Sequence, residues 1–179
     1  MLRMWKIDLK YIVMLFGVVF ISCALHECGH YLAGTLLGNP MGMNLNMAFP
    51  LSGEYQADWH KPFVYSGGPL FSVLQAGTGL ILLSSYHQKR LFFALLLTPV
   101  TLRIWPYLVS PFHQQDEARV AVFLGFPDWI LPLIVWLILI TIAYLGVRKI
   151  NVTKRFIVLS VLLILVAFQV VLRLNNLFL

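Results

Sequence analysis

Five long apolar runs constrain this chain more than any other feature of its sequence. They cover residues 11–37, 63–85, 91–109, 129–147 and 156–174. Each run approaches or exceeds the roughly 18 to 20 apolar residues that an α-helix needs to cross a bilayer. The runs therefore predict an all-α polytopic membrane protein with about five transmembrane helices, in which residues 1–179 form a single membrane domain.

The composition and charge of the chain agree with this class. Hydrophobic residues make up 60% of the chain and charged residues only 11%, whereas about a quarter of the residues in a typical soluble domain are charged. The net charge of +6 does not indicate a nucleic-acid partner, because most Lys and Arg residues lie in short clusters beside the apolar runs. Such clusters orient helices in a membrane, so the lipid bilayer is the expected surrounding.

The basic residues also predict an orientation. If every run crosses the membrane once, nine of them fall on one side and three on the other. The nine are Arg3, Lys6, Lys10, Lys89, Arg90, Arg148, Lys149, Lys154 and Arg155, and the three are Lys61, Arg119 and Arg173. The positive-inside rule then places the N-terminus in the cytoplasm and the C-terminus outside. The compact chain suggests a bacterial cytoplasmic membrane.

The segment between the first two runs has the pattern of a β-strand. Hydrophobic side chains alternate with polar or small ones over residues 43–49, which is the period of two expected for a strand. Pro50 and Gly53 predict a turn after it. We expect a short β-strand or hairpin here, and an irregular interfacial loop is the alternative.

The first apolar run contains the H-E-x-x-H sequence His26-Glu27-Cys28-Gly29-His30. On a helix, residues four apart lie about 40° apart on one face, so both imidazoles can reach one metal ion. Neutral imidazoles suit Zn²⁺, and Glu27 is placed to act on water as a catalytic base. The alternative without a metal is a polar cluster, in which the histidines pair with each other or with a carbonyl and Glu27 pairs with a cation such as Arg103.

A catalytic zinc ion requires a third protein ligand and an open coordination position. The residue types that could supply this ligand occur at Glu54, Asp58, His60, His87, His113, Asp116, Glu117 and Asp128. The residues alone do not select one of them.

Three segments of the sequence resemble the site-2 protease family of intramembrane zinc metalloproteases. "HECGHYLAG" matches the family pattern H-E-x-x-H-x-x-x-A, with Ala33 at the last place. "GGPL", residues 67–70, resembles the family's glycine-proline motif, and "LVSPFHQQDEA", residues 108–118, resembles its N-x-x-P-x-x-x-x-D-G segment. The resemblance implies that Asp116 is the third zinc ligand, and His113 is the fallback.

The resemblance also implies an architecture, and the sequence departs from the family's motifs at three positions. Residues 11–126 would form a three-helix catalytic core, followed by two additional transmembrane helices over residues 129–174. Leu108 stands where the family has asparagine, Glu117 where it has glycine, and Ser72 where an asparagine often follows the glycine-proline pair. These departures imply that the chain handles its substrate differently from other members.

The implied function is that of an intramembrane zinc metalloendopeptidase with one Zn²⁺, which hydrolyses a peptide bond in or near a transmembrane segment of a protein substrate. The predicted substrate-binding residues are Asn44, Asn46, Gly67, Gly68 and Arg103. Substrate selection would come from the membrane domain or from an accessory membrane protein. The family usually places its active site near the cytosolic face, whereas the charge pattern places this motif nearer the outside.

Two other functions compete with the enzyme. A non-catalytic relative could bind zinc and act as a membrane adaptor. A metal transporter would need polar side chains along a path through several spans, and the fourth and fifth runs contain very few. The sequence therefore favours the adaptor over the transporter as the alternative.

Overall fold

The computed structural model describes residues 5–85, 87–109 and 115–178, in which six helices and two strands are formed. In chain order they are α1 Leu9–Leu36, β1 Met41–Met43, β2 Ala48–Pro50, α2 His60–Ser85, α3 Lys89–Val109, α4 Asp116–Phe123, α5 Ile130–Lys149 and α6 Lys154–Phe178. The predicted mostly helical class is confirmed.

Four helices of the described chain, α1, α2, α5 and α6, are long and apolar enough to cross a membrane. This finding supports the predicted membrane protein. Helix α3 forms where the third run predicts it, but it is not among the four, and it carries Lys89, Arg90 and Arg103. The total of five spanning helices and the orientation in the membrane therefore remain predictions.

Helix α1 contacts α2, α3 and α6, and α2 contacts α3, α4 and α5 in addition to α1. The buried core near the start of α1 includes Tyr11, Leu15, Phe93 and Phe156. The hydroxyl groups of Tyr11 and Ser160 share a hydrogen bond of 2.7 Å in this core. Many large apolar side chains on the outer faces of α5 and α6 are exposed, which suits helices that are surrounded by lipid rather than water.

The start of α1 is fixed to the start of α3. The Asp8 carboxylate caps α1 by accepting a hydrogen bond of 2.8 Å from the Tyr11 backbone N–H, and it accepts a second one of 2.8 Å from Arg90. The Arg90 guanidinium also donates to the Lys6 carbonyl at 3.2 Å. The structure thus brings together two of the basic clusters that the charge pattern assigns to one side of the membrane.

The strand pattern produces a two-stranded antiparallel hairpin, in which Met43 faces Ala48. The hairpin prediction is confirmed, but the chain reverses within residues 44–47, where the alternation indicates a continuous strand. The reason is the side chain of Asn44, which accepts backbone hydrogen bonds of 2.8 Å from Asn46 and 3.0 Å from Met47. Such local bonding by asparagine favours a turn. The predicted turn at Pro50 and Gly53 also forms, since Pro50 ends the second strand and its carbonyl accepts a hydrogen bond of 3.0 Å from the Gly53 N–H.

Candidate metal centre

Helix α1 brings His26 and His30 together one turn apart, as their spacing predicts. Their Nε2 atoms lie 3.1 Å from each other, and the two rings meet edge to face with centroids 4.7 Å apart. The ligand atoms of His26, Glu27 and His30 all lie within 4.8 Å of one another. These residues could hold a metal ion.

Glycines allow α2 to lie directly against this face of α1. A Cβ atom added to Gly29 would collide with the backbone carbonyl of Gly67, and one added to Gly67 would collide with the carbonyl of Gly29. A Cβ atom at Gly68 would collide with the imidazole rings of both His26 and His30. Gly67 and Gly68 therefore have a packing role at the site, and their predicted contact with substrate remains a prediction.

Helix α2 also fixes the orientation of both imidazoles. The Nδ1 atom of His30 lies 2.7 Å from the Val64 carbonyl oxygen, so this nitrogen carries the proton and donates. The Nδ1 atom of His26 lies 3.2 Å from the hydroxyl oxygen of Ser72, whose proton goes to the Gly68 carbonyl at 3.2 Å. Because both Nδ1–H groups have acceptors, both Nε2 atoms present lone pairs to the centre, as a metal site requires.

Asp116, the first residue of α4, completes the set that the resemblance implies. Its Oδ2 atom lies 3.2 Å from Nε2 of His26 and 3.4 Å from Nε2 of His30. In a tetrahedral zinc site with bonds of about 2.0 to 2.1 Å, two ligand atoms are about 3.3 Å apart. The separations of these three atoms are therefore compatible with a bound divalent metal ion such as Zn²⁺.

The charge state of Asp116 also suits a ligand. Burial by itself raises the pKa of this carboxyl group, but the pKa lies well below its usual range, and the positive charge of Arg103, whose Nη1 donates to Oδ2 at 3.2 Å, contributes to this lowering. Asp116 is therefore a carboxylate at neutral pH. A metal ligand has to be deprotonated in this way.

Several other candidates for the third ligand are engaged elsewhere. His60 is buried and lies 3.0 Å from the Asn39 amide nitrogen, and Asp58 pairs with Lys61 at 2.6 Å. Glu117 contacts Arg103 at 3.2 Å. The fallback His113 lies outside the described residues.

Glu27 lies beside the metal ligands at the wall of a cavity. The cavity has a volume of about 350 Å³ and is also lined by hairpin residues 45–48 and by Arg119 of α4. The Glu27 side chain is buried, and its carboxyl group faces the backbone N–H of Ala48. The predicted base thus borders a space large enough for a few residues of a substrate backbone.

The predicted asparagines have different positions. Asn46 lines the cavity, whereas the side chain of Asn44 is used in the hairpin turn. Both assignments to substrate binding remain predictions.

Arg103 of α3 reaches into the metal centre. Its Nη1 atom donates to Asp116 and Glu117 at 3.2 Å, and its predicted contact with substrate remains a prediction. Its Nη2 atom lies 3.1 Å from Nε2 of His26.

Sequence reasoning missed two supports of the site. The sequence could have indicated the role of Ser72, because Ser72 lies one helical turn after Gly68 and therefore on the same face of the helix. No feature of the sequence indicates the role of the Val64 carbonyl, since every residue type has a backbone carbonyl. Neither was predicted to hold an imidazole.

Replacing Ser72 by alanine should weaken metal binding. The change leaves Nδ1 of His26 without its acceptor, and loss of such a support typically lowers metal affinity about 10- to 100-fold. Competition with a zinc chelator measures the dissociation constant. Ser66→Ala is the matched control, because the hydroxyl of Ser66 donates to the Pro62 carbonyl of the same helix at 2.7 Å. Equal affinities in both variants would contradict the assigned role.

Neither a protein-family model nor a curated protein matches this sequence, and no solved structure matches this fold. The likeness to the site-2 proteases therefore depends on the motif residues, and the metal centre depends on the geometry described above.

Proposed function

We propose that this protein is an intramembrane zinc metalloprotease, in which His26, His30 and Asp116 hold one Zn²⁺ and Glu27 is the catalytic base. The observation that carries the proposal is the triangle formed by Nε2 of His26, Nε2 of His30 and Oδ2 of Asp116, with edges of 3.1, 3.2 and 3.4 Å. The side chain of Glu27 lies beside this triangle. A structural zinc site is usually closed by four protein ligands. Three ligands with an adjacent glutamate suit catalysis better.

The roles of the residues follow from their positions. The ion supplies Lewis-acid activation of water and of the scissile carbonyl group. Glu27 accepts a proton as the water oxygen forms its bond to the carbonyl carbon, and the carbonyl π electrons move to oxygen. Glu27 then gives that proton to the amide nitrogen as the C–N bond breaks. His26, Glu27 and His30 lie on α1, which is long and apolar enough to span a membrane, and this position favours a transmembrane protein as substrate.

The outer edge of β2 is suited to hold an unwound substrate. The Asn44 N–H donates to the Met47 carbonyl at 2.9 Å, and the Leu51 N–H donates to the Pro40 carbonyl at 2.8 Å. Because hydrogen-bonded and non-bonded pairs alternate in an antiparallel ladder, the N–H and C=O groups of Ala48 point away from β1, and the N–H meets the Glu27 carboxyl group. An extended substrate segment that replaced Glu27 at this N–H could add to the edge by β-augmentation.

Peptidase activity tests the proposal. Purified protein in detergent is incubated with fluorescein-labelled casein, whose chain has no stable helix to unwind, and with a panel of labelled transmembrane peptides. We expect cleavage that stops with 1,10-phenanthroline and returns when Zn²⁺ is restored. A zinc-loaded protein that cleaves none of these probes would contradict the proposal and favour the non-catalytic adaptor.

A further inference from the structure

The cavity at the metal centre has one end that is cationic and aromatic. Arg119 of α4 and the phenol rings of Tyr55 and Tyr65 line it together. The guanidinium carbon of Arg119 lies 5.3 Å from the centre of the Tyr65 ring. The rings of Tyr55 and Tyr65 meet edge to face with their centroids 6.3 Å apart. We call these three side chains the Arg119 cluster.

The positive charge of Arg119 is not neutralised by an acidic side chain. All seven acidic residues of the chain lie in the described ranges 5–85, 87–109 and 115–178, and none of them pairs with Arg119 there. Asp116 is three residues earlier on α4, a spacing that allows an ion pair, but its Oδ2 atom contacts the two histidines and Arg103 instead. The Tyr65 ring attracts a cation without neutralising it, so the charge of Arg119 can attract an anion.

The pairing of α1 with α2 places this cluster at one end of the cavity. Nδ1 of His30 lies 2.7 Å from the carbonyl oxygen of Val64, the neighbour of Tyr65, whereas the hydroxyl of Ser22 accepts a hydrogen bond of 2.7 Å from Gln75. Residues of both levels line the cavity, which therefore follows α1 over about 12 Å at 1.5 Å per residue. An extended chain of roughly three to four residues has this length.

The opposite end of the cavity lies near the middle of α1 and α2 and includes apolar side chains. Gln75 also donates to the Leu95 carbonyl at 3.1 Å, and Pro99, one turn after Leu95, lines the cavity together with Phe168. Burial of a charged group without a partner is costly, so this end favours apolar substrate residues. An acidic group of the substrate is favoured only at the end that carries Arg119.

Building on the proposed function, we propose that the Arg119 cluster is a specificity subsite, which binds a carboxylate group of the substrate close to the scissile peptide bond. The guanidinium of Arg119 pairs with the carboxylate, and the hydroxyl groups of Tyr55 and Tyr65 donate to its oxygens. The carboxylate belongs to an Asp or Glu side chain or to a free C-terminus, since both present the same chemical group. Substrates that carry it are selected over neutral ones.

Peptide binding tests the subsite independently of cleavage. The probes are fluorescein-labelled leucine-rich peptides with amidated ends, which carry one Glu, or Gln in its place, at successive positions, and the same peptides with a free C-terminal carboxylate. Fluorescence anisotropy measures their binding to zinc-loaded Glu27→Gln protein. We expect one acidic probe to bind about 10-fold more tightly than its neutral counterpart, and Arg119→Gln in the same background to abolish this preference. The probe that shows it identifies the source of the carboxylate.

Arg148→Gln is the matched control in this background. Arg148 also lies over a tyrosine ring, 5.8 Å from the centre of Tyr144, but it is at the end of α5, whereas α4 precedes the start of that helix. Its loss should leave the preference unchanged. Arg119→Glu should reverse the preference, so that a peptide with Lys in place of Glu binds more tightly, and an arginine with a purely structural role would not give this reversal.

Equal binding of acidic and neutral probes, or a preference that survives Arg119→Gln, would overturn the subsite. Loss of zinc from both Arg119 variants would also overturn it, since the arginine would then support the metal centre. If the acidic probe bound preferentially but wild-type protein cleaved none of the probes, the proposed function would fail while the subsite would stand. The two failures are therefore distinguishable.

Discussion

Replacing Gly68 by alanine is expected to abolish zinc binding and peptidase activity. The added Cβ atom would occupy the space that the rings of His26 and His30 now fill. Either the imidazoles leave their positions or α2 moves away from α1, and both outcomes separate the ligand atoms. The zinc content of the purified variant, measured by elemental analysis, should fall from about one ion per protein to near zero.

The chain offers a matched control on the same helix. Apart from the adjoining residues and backbone of its own helix, an added Cβ atom at Gly77 would meet no atom of the described residues within 4 Å. Gly77→Ala should therefore keep its zinc, and it should be slightly more stable because alanine favours a helix by about 1 kcal/mol over glycine. A Gly68→Ala variant with full zinc content would show that the helices do not meet as closely as described.

Replacing Glu27 by glutamine is expected to leave zinc binding intact and to remove most of the activity. The amide keeps the size of the carboxylate but cannot accept a proton, and general-base catalysis typically contributes about 10²- to 10⁴-fold to the rate. Cleavage of labelled casein at equal zinc content measures the effect. If the variant lost zinc together with activity, Glu27 would be a ligand rather than the base.

The candidate metal centre was predictable from the sequence only where local helix geometry determines the positions of its residues. His26 and His30 meet because residues four apart share one face of a helix, and this holds regardless of tertiary structure. Asp116 lies 90 residues from His26 along the chain, so no local rule could join them. That ligand was found only through the resemblance of its segment to a family motif.

The hairpin, in contrast, is a local structure that the sequence pattern predicted only in part. Alternation over residues 43–49 correctly indicates extended structure but misses the chain reversal within residues 44–47. The turn depends on one asparagine side chain that competes for backbone N–H groups, and hydrophobic periodicity does not register such bonds. The close contact of Gly29 with Gly67 could likewise not be predicted, because a glycine in the sequence does not indicate which backbone segment will pack against it.

The most direct test of the account is the zinc content of four proteins purified side by side: wild type, Glu27→Gln, Asp116→Ala and Asp58→Ala. Asp58 is an exposed aspartate that pairs with Lys61, and its variant controls for the loss of a carboxylate. We predict about one zinc ion per protein in wild type, Glu27→Gln and Asp58→Ala, and a large loss in Asp116→Ala alone. Full zinc content in Asp116→Ala, or no zinc in any of the four after zinc is supplied, would contradict the proposed metal centre.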